Sequence, residues 1–150
     1  MTRRGIQDWL AFRPWERHGL VLAVGGSVYI LMGLIFMGTE EMTETRQATL
    51  ELALRHAPLH TWGFVFFCGG LLAVASSKWP RFNNSWGYMV LTGLASGWSA
   101  MYFVNYILNR PTLVTLGYGL VWGLLAFMWW AISGLVNPEE VLEVVADGDA

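Results

Sequence analysis

Residues 82–109 read FNNSWGYMVLTGLASGWSAMYFVNYILN, 28 consecutive positions without an aspartate, glutamate, lysine or arginine. A bilayer core of about 30 Å needs roughly 20 apolar residues in helical form, so this run is long enough to cross one. It is also interrupted by Gly, Ser, Thr and Asn, so its fate depends on what surrounds it. Outward from it the pattern repeats. The intervals Arg17 to Glu40, Arg55 to Lys78 and Arg110 to Glu139 likewise contain no charged residue, over 22, 22 and 28 positions. The 20 charges of the 150-residue chain therefore crowd into one third of its length. A soluble domain needs charge along the outer face of nearly every helix, and this chain cannot supply it. A water-soluble globular enzyme is excluded, and four membrane-spanning helices are expected.

The expected fold is an all-α, integral membrane four-helix bundle with spans at about 19–38, 60–77, 86–108 and 111–136. It divides the chain into a basic interfacial N-terminal segment at 1–18, the transmembrane domain at 19–136 and an acidic tail at 137–150. The N-terminal segment carries four arginines before an apolar run, as a secretory signal does. That run is longer than a signal core and has no convincing cleavage site, so it reads as a retained anchor. Between spans 1 and 2, Thr39 can cap a helix, Glu40 and Glu41 suit its first turn, and Glu51 and Arg55 form an i,i+4 pair. One amphipathic outer helix of roughly four turns is expected over 40–57, with Leu50, Ala53, Leu54 and Ala57 on one side. Pro58 ends it. Asn109, Arg110 and Pro111 form the tightest connection, making spans 3 and 4 antiparallel neighbours.

Even span number puts both termini on one side. That side holds Arg3, Arg4, Arg13, Arg17, Lys78 and Arg81, against Arg46, Arg55 and Arg110 opposite, so both termini are expected in the cytoplasm of a bacterial cytoplasmic membrane.

Small residues recur every seven positions, which keeps them on one stripe of each helix. Span 1 has Gly19, Gly26 and Gly33, with Ala23 between. Span 2 has Gly63, Gly70 and Ser77; span 3 has Gly93, Gly97 and Ala100; span 4 has Gly119 and Gly123, then Ala126 and Ser133. Lipid tails are as apolar as leucine, so helices associate in a bilayer by close backbone approach, which small residues permit. These glycines are the candidate helix-packing and self-association residues. The stripes either pack the monomer or, in span 1 first, leave one face free for another copy.

Trp9, Trp15, Trp79, Trp86, Trp129 and Trp130 fall near the proposed cytoplasmic boundary and Trp62 near the outer one, an expected belt of interfacial anchors. Trp98 and Trp122 lie deeper, where packing between spans 3 and 4 is the simpler use than a cofactor contact. No span carries an acid or base at its centre, as a transporter or proton pump usually does. Asn105 is expected to bond a backbone carbonyl. His56 and His60 have metal-like spacing, but Pro58 separates them and no third ligand is evident. The lone Cys68 has no partner base, and no phosphate- or dinucleotide-binding loop occurs. No catalytic residue, metal or cofactor is expected. With a net charge of −2 there is no basic field for nucleic acid either.

Four strings carry a resemblance: RPWERHG at 13–19, APLHTWG at 57–63, WGYMVLTGL at 86–94 and LVWGLLAFMWWAISG at 120–134. Together they resemble small four-span membrane proteins of actinobacteriophages, some of them holin-like, and the likeness extends over most of residues 13–138. The resemblance implies a phage-encoded protein that accumulates in the host membrane, self-associates and permeabilises it in host cell lysis. The acidic tail departs from the basic tail of many holins. Read from the residues alone, the partners are the lipid bilayer and a second copy. The rival reading is a non-catalytic interaction subunit whose outer helix or tail docks a host envelope or phage assembly partner. A small-molecule carrier is a third, which would need a functional polar group such as Asn105 at depth.

Overall fold

Each long helix coincides with one of the uncharged intervals. The computed structural model describes residues 17–39, 42–78, 84–109 and 111–134, so expectations for the basic segment up to Glu16, for Trp79 and for the acidic tail lie outside the described residues. Among them are six α-helices and no strand: α1 (Arg17–Gly38), α2 (Glu44–Thr49), α3 (Glu51–His56), α4 (Leu59–Ser76), α5 (Asn84–Asn109) and α6 (Leu113–Ser133). Three of them are long and apolar enough to cross a membrane, over Gly19–Gly38, Leu59–Ser76 and Leu113–Ser133. The chain is thus an all-α, multi-span membrane protein by length and composition. Many of its aliphatic side chains point outward: Ile35, Val121 and Leu124 are each more than half exposed. Such a surface is intolerable in water and ordinary in lipid.

The four long helices pack as two antiparallel pairs. In the first pair the seven-residue stripe of α1 meets that of α4, rung by rung. A Cβ placed on Gly26 would lie 2.6 Å from Gly70 O, and one on Gly70 would lie 2.5 Å from Gly26 O. Gly33 and Gly63 repeat the arrangement at 2.6 and 2.8 Å, and Gly19 faces Ser77 O at 2.9 Å. At the two glycine–glycine rungs the backbones are so close that a side chain on either would collide with a carbonyl. A helical glycine costs about 1 kcal/mol relative to alanine in water. Here the cost is offset by close dispersion contact and by Cα–H groups directed at carbonyls, each worth roughly 0.5–1 kcal/mol. The α1 stripe is therefore occupied within the chain, which corrects the expectation that it is the first one free for another copy.

The second pair, α5 and α6, uses larger contacts. Gly119 packs under Tyr102 and Phe103, and Gly123 faces Ser99 Oγ at 3.1 Å. The pairs join across α5, where Gly69 of α4 receives Leu94 and Gly87 receives Leu22 of α1 and Ser76 of α4.

The connection between α1 and α4 differs from the single helix expected over 40–57. It is two short helices broken at Leu50, whose backbone sits at φ −100°, ψ 7°. Thr39 does not cap it; its hydroxyl instead donates to Ile35 O at 2.6 Å, at the end of α1. The expected Glu51–Arg55 pair is present at 2.6 Å. Leu50 and Ala53 are buried as the amphipathic pattern requires. Ala57 is extended before Pro58, the conformation a residue preceding proline favours, and α3 stops there.

Replacing Gly26 with Ala should destabilise the fold by about 1–3 kcal/mol, because backbone on both sides prevents relief of the overpacking. Gly93, with nothing within 4 Å of its Cβ position, should accept Ala with a change within about 1 kcal/mol, neutral to stabilising. Unfolding in detergent titrations measures both; equal effects would contradict the seam.

Candidate functional site

Between the two helix pairs the space is filled by rings, one or more from each long helix. Phe66 lies 5.6 Å from Tyr29, 5.7 Å from Phe36, 5.2 Å from Trp98 and 5.6 Å from Trp122, centroid to centroid. The Phe36 and Trp98 contacts are edge-to-face, the favoured geometry for aromatic quadrupoles. Trp98 and Trp122 are both buried and meet at 6.4 Å, so they do pack between α5 and α6, and they also reach α1 and α4. The indole N–H groups of Trp98 and Trp129 are buried and form no well-aligned hydrogen bond among the described residues. In a bilayer the alternative environment is hydrocarbon, so this costs far less than it would in a soluble core.

Four polar side chains tie elements together, and all four donate to backbone carbonyls. The Tyr29 hydroxyl donates to Leu91 O at 3.1 Å and the Ser99 hydroxyl to Gly119 O at 2.7 Å. Trp62 Nε1 donates to Ala53 O at 3.0 Å. Asn105, only 1% exposed, donates to Ala48 O at 3.0 Å and Thr49 O at 2.9 Å, and accepts from Asn109 Nδ2 at 2.7 Å. Ala48 and Thr49 end α2, so their carbonyls are among those a helix terminus leaves unsatisfied. Asn105 supplies the missing donors, which is the structural role expected of it.

Above the aromatic cluster, at the end of the bundle nearest α2, a crevice of about 440 Å³ opens. Its lining is apolar toward the bundle centre, at Met32, Phe36, Trp98 and Trp122, and polar toward α2, at Thr43, Thr45 and Arg46, with Val114 and Tyr118 on its α6 side. The Arg46 guanidinium stands 5.9 Å from the Phe36 ring centroid, a cation–π distance. In the sequence Arg46 counts only toward orientation. Its signal was available: 46, 49, 50 and 53 share one helical face, and the other three positions are buried.

A second depression, about 520 Å³, lies on the outer surface of α5 and α6 and is lined by Thr92, Ser96, Ala100, Gly123 and Phe127 among others. Beside it, Gly93 and Gly97 have nothing within 4 Å of their Cβ positions. The proposed packing glycines thus divide: Gly19, Gly26, Gly33, Gly63 and Gly70 sit in the α1–α4 seam, Gly119 and Gly123 in the α5–α6 contact, and Gly93 and Gly97 face outward.

The tryptophans divide as well. Trp86 and Trp130 are exposed, where an interfacial anchor would be. Trp129 is instead 6% exposed, because Gly25 of α1 leaves room for its ring and Tyr88 packs on it at 6.5 Å. Trp62 is half-buried and its N–H is used to hold α3. Trp9, Trp15 and Trp79 lie outside the described residues.

Asn105→Leu should release the α2–α3 segment while leaving the long helices in place. Interhelical hydrogen bonds in membranes average about 0.6 kcal/mol, so a loss of roughly 1–2 kcal/mol is expected for two. Hydrogen exchange at 44–56 should quicken; unchanged protection there would remove Asn105 from this role.

No protein-family model, curated protein or solved structure matches the chain.

Proposed function

We propose that this chain is a four-span integral membrane protein that acts by associating with copies of itself in the bilayer, in the holin-like manner its motifs resemble, and not by catalysis. Support for the fourth span comes from α5, which has 26 residues, about 39 Å of helix, and carries no charge. It runs antiparallel between α4 and α6, both apolar enough to cross, so it must return the chain through the same slab. Its lower hydropathy reflects small and hydroxyl residues at its middle. The excess of lysine and arginine on the side of the termini favours a cytoplasmic location for both.

The observation that carries self-association is the outer face of α5. Met89 and Ile107 are strongly exposed at its ends, while Gly93, Ser96, Gly97 and Ala100 leave a shallow notch between them. A small-xxx-small face open to lipid is the kind another helix approaches closely. It also presents the Ser96 hydroxyl, which a lipid chain cannot satisfy and a partner helix or a water-filled lumen can. Permeabilisation would then follow from assembly of many such faces, with phage-encoded host lysis as its setting.

With Cys68 replaced by Ser, Ser96→Cys should form crosslinks between copies in the membrane, whereas Val24→Cys on the lipid face of α1 should not. Inducible expression should arrest growth and depolarise the cells. A membrane potential held for hours, with a monomer in mild detergent, would contradict this function. A stoichiometric foreign partner in place of self-crosslinks would favour an interaction subunit.

A further inference from the structure

We propose that the crevice between α1, α2 and α6 is a binding site for an anionic phospholipid, with its phosphate at Arg46 and one acyl chain over Phe36, Trp98 and Trp122. This does not depend on self-association, since the crevice and the α5 notch are different surfaces. A volume of about 440 Å³ falls within the range of small-molecule sites, and the gradient of its lining is that of a lipid. The interior is aromatic and aliphatic; the rim carries one guanidinium and the hydroxyls of Thr43, Thr45 and Tyr118.

Its position fits the same ligand. Phe36 is near the end of α1 and Val114 near the start of α6, so Arg46 stands at the level where a span leaves the hydrocarbon. The backbones of α1 and α6 barely approach one another, unlike those of α1 with α4 or α5 with α6, so the crevice opens sideways between them. Val114 and Tyr118, exposed on α6, form the lip a chain would cross.

The charge at the rim selects among lipids. Arg55 is held by Glu51, whereas among the described residues no carboxylate pairs with Arg46. Its guanidinium lies instead against the Phe36 ring, which fixes it at the mouth and leaves its planar donors suited to a phosphate diester. A zwitterionic lipid offers the same phosphate but carries a compensating cation, so phosphatidylglycerol should be preferred to phosphatidylcholine.

The test uses the full chain reconstituted in phosphatidylcholine vesicles containing a rising fraction of either lipid brominated on its acyl chains. Bromine quenches tryptophan emission, and the difference between the two lipids is the readout. The native protein should be quenched at lower mole fractions of brominated phosphatidylglycerol. Arg46→Gln should weaken that preference about fivefold, what one basic residue contributes against an anionic headgroup. Arg46→Lys should retain most of it, and Arg55→Gln should match the native protein. Val114→Phe, which narrows the lip from an exposed position, should reduce quenching with the charge intact. Equal quenching by the two lipids, an Arg46→Gln curve matching the native one, or no effect of Val114→Phe would overturn the proposal. Circular dichroism on the same vesicles confirms that each variant is folded.

Discussion

The rest of the bundle depends on the contact of two backbones, those of α1 and α4, along a seam whose two central rungs are glycine on both helices. Gly26 against Gly70 and Gly33 against Gly63 are reciprocal, each glycine covering the other's carbonyl. Reciprocity fixes both the register and the antiparallel direction, because sliding either helix by one residue would put a neighbour such as Leu34, Phe64 or Leu71 where a glycine now lies against backbone. In water the hydrophobic effect would hold the pair together whatever the detail of its packing. In lipid that force is absent, and surface complementarity has to carry the association.

Once α1 and α4 are that close, the remaining features find their places. The large side chains that the seam cannot hold are turned to its flanks, where Tyr29, Phe36 and Phe66 meet Trp98 and Trp122 from the other pair. Ring packing fills the centre, and the hydroxyl, indole and amide donors that tie one element to another reach for backbone carbonyls, groups always present and always at a known helical position. Helices α2 and α3 are then held against α5 by Asn105 and against α4 by Trp62. The break at Leu50 brings α2's last carbonyls to Asn105 and its Arg46 to the mouth of the crevice.

Much of this was legible in the residues. The uncharged intervals locate all four long helices, with boundaries displaced by at most three residues. The seven-residue recurrence locates the seam, and Pro58 and the 109–111 connection locate the reversals. What the pattern could not supply is which stripe meets which: Gly26 and Gly93 look equivalent in sequence, yet one faces a carbonyl and the other open space. That difference arises from three-dimensional pairing and not from spacing. The single helix expected over 40–57 missed its break because Leu50 is a good helix former, and the bend is set by the tertiary tie to Asn105. Trp129 was placed at the interface by its depth along the helix, although Gly25, on another helix, decides which way it turns. The self-association face and the crevice owe their existence to the same pairing, since both are surfaces that the two helix pairs leave unfilled.

The seam itself can be tested in one measurement. Gly19 and Ser77 form its terminal rung, close enough for a disulfide, where Ser77 already carries a side chain and its carbonyl, beyond the last residue of α4, has only to shift slightly for a Cβ on residue 19. With Cys68 replaced by Ser, the double variant Gly19→Cys, Ser77→Cys in membranes should oxidise to an intrachain disulfide that migrates as a monomer. Crosslinking only between chains, or none at all, would show that α1 and α4 do not meet as described.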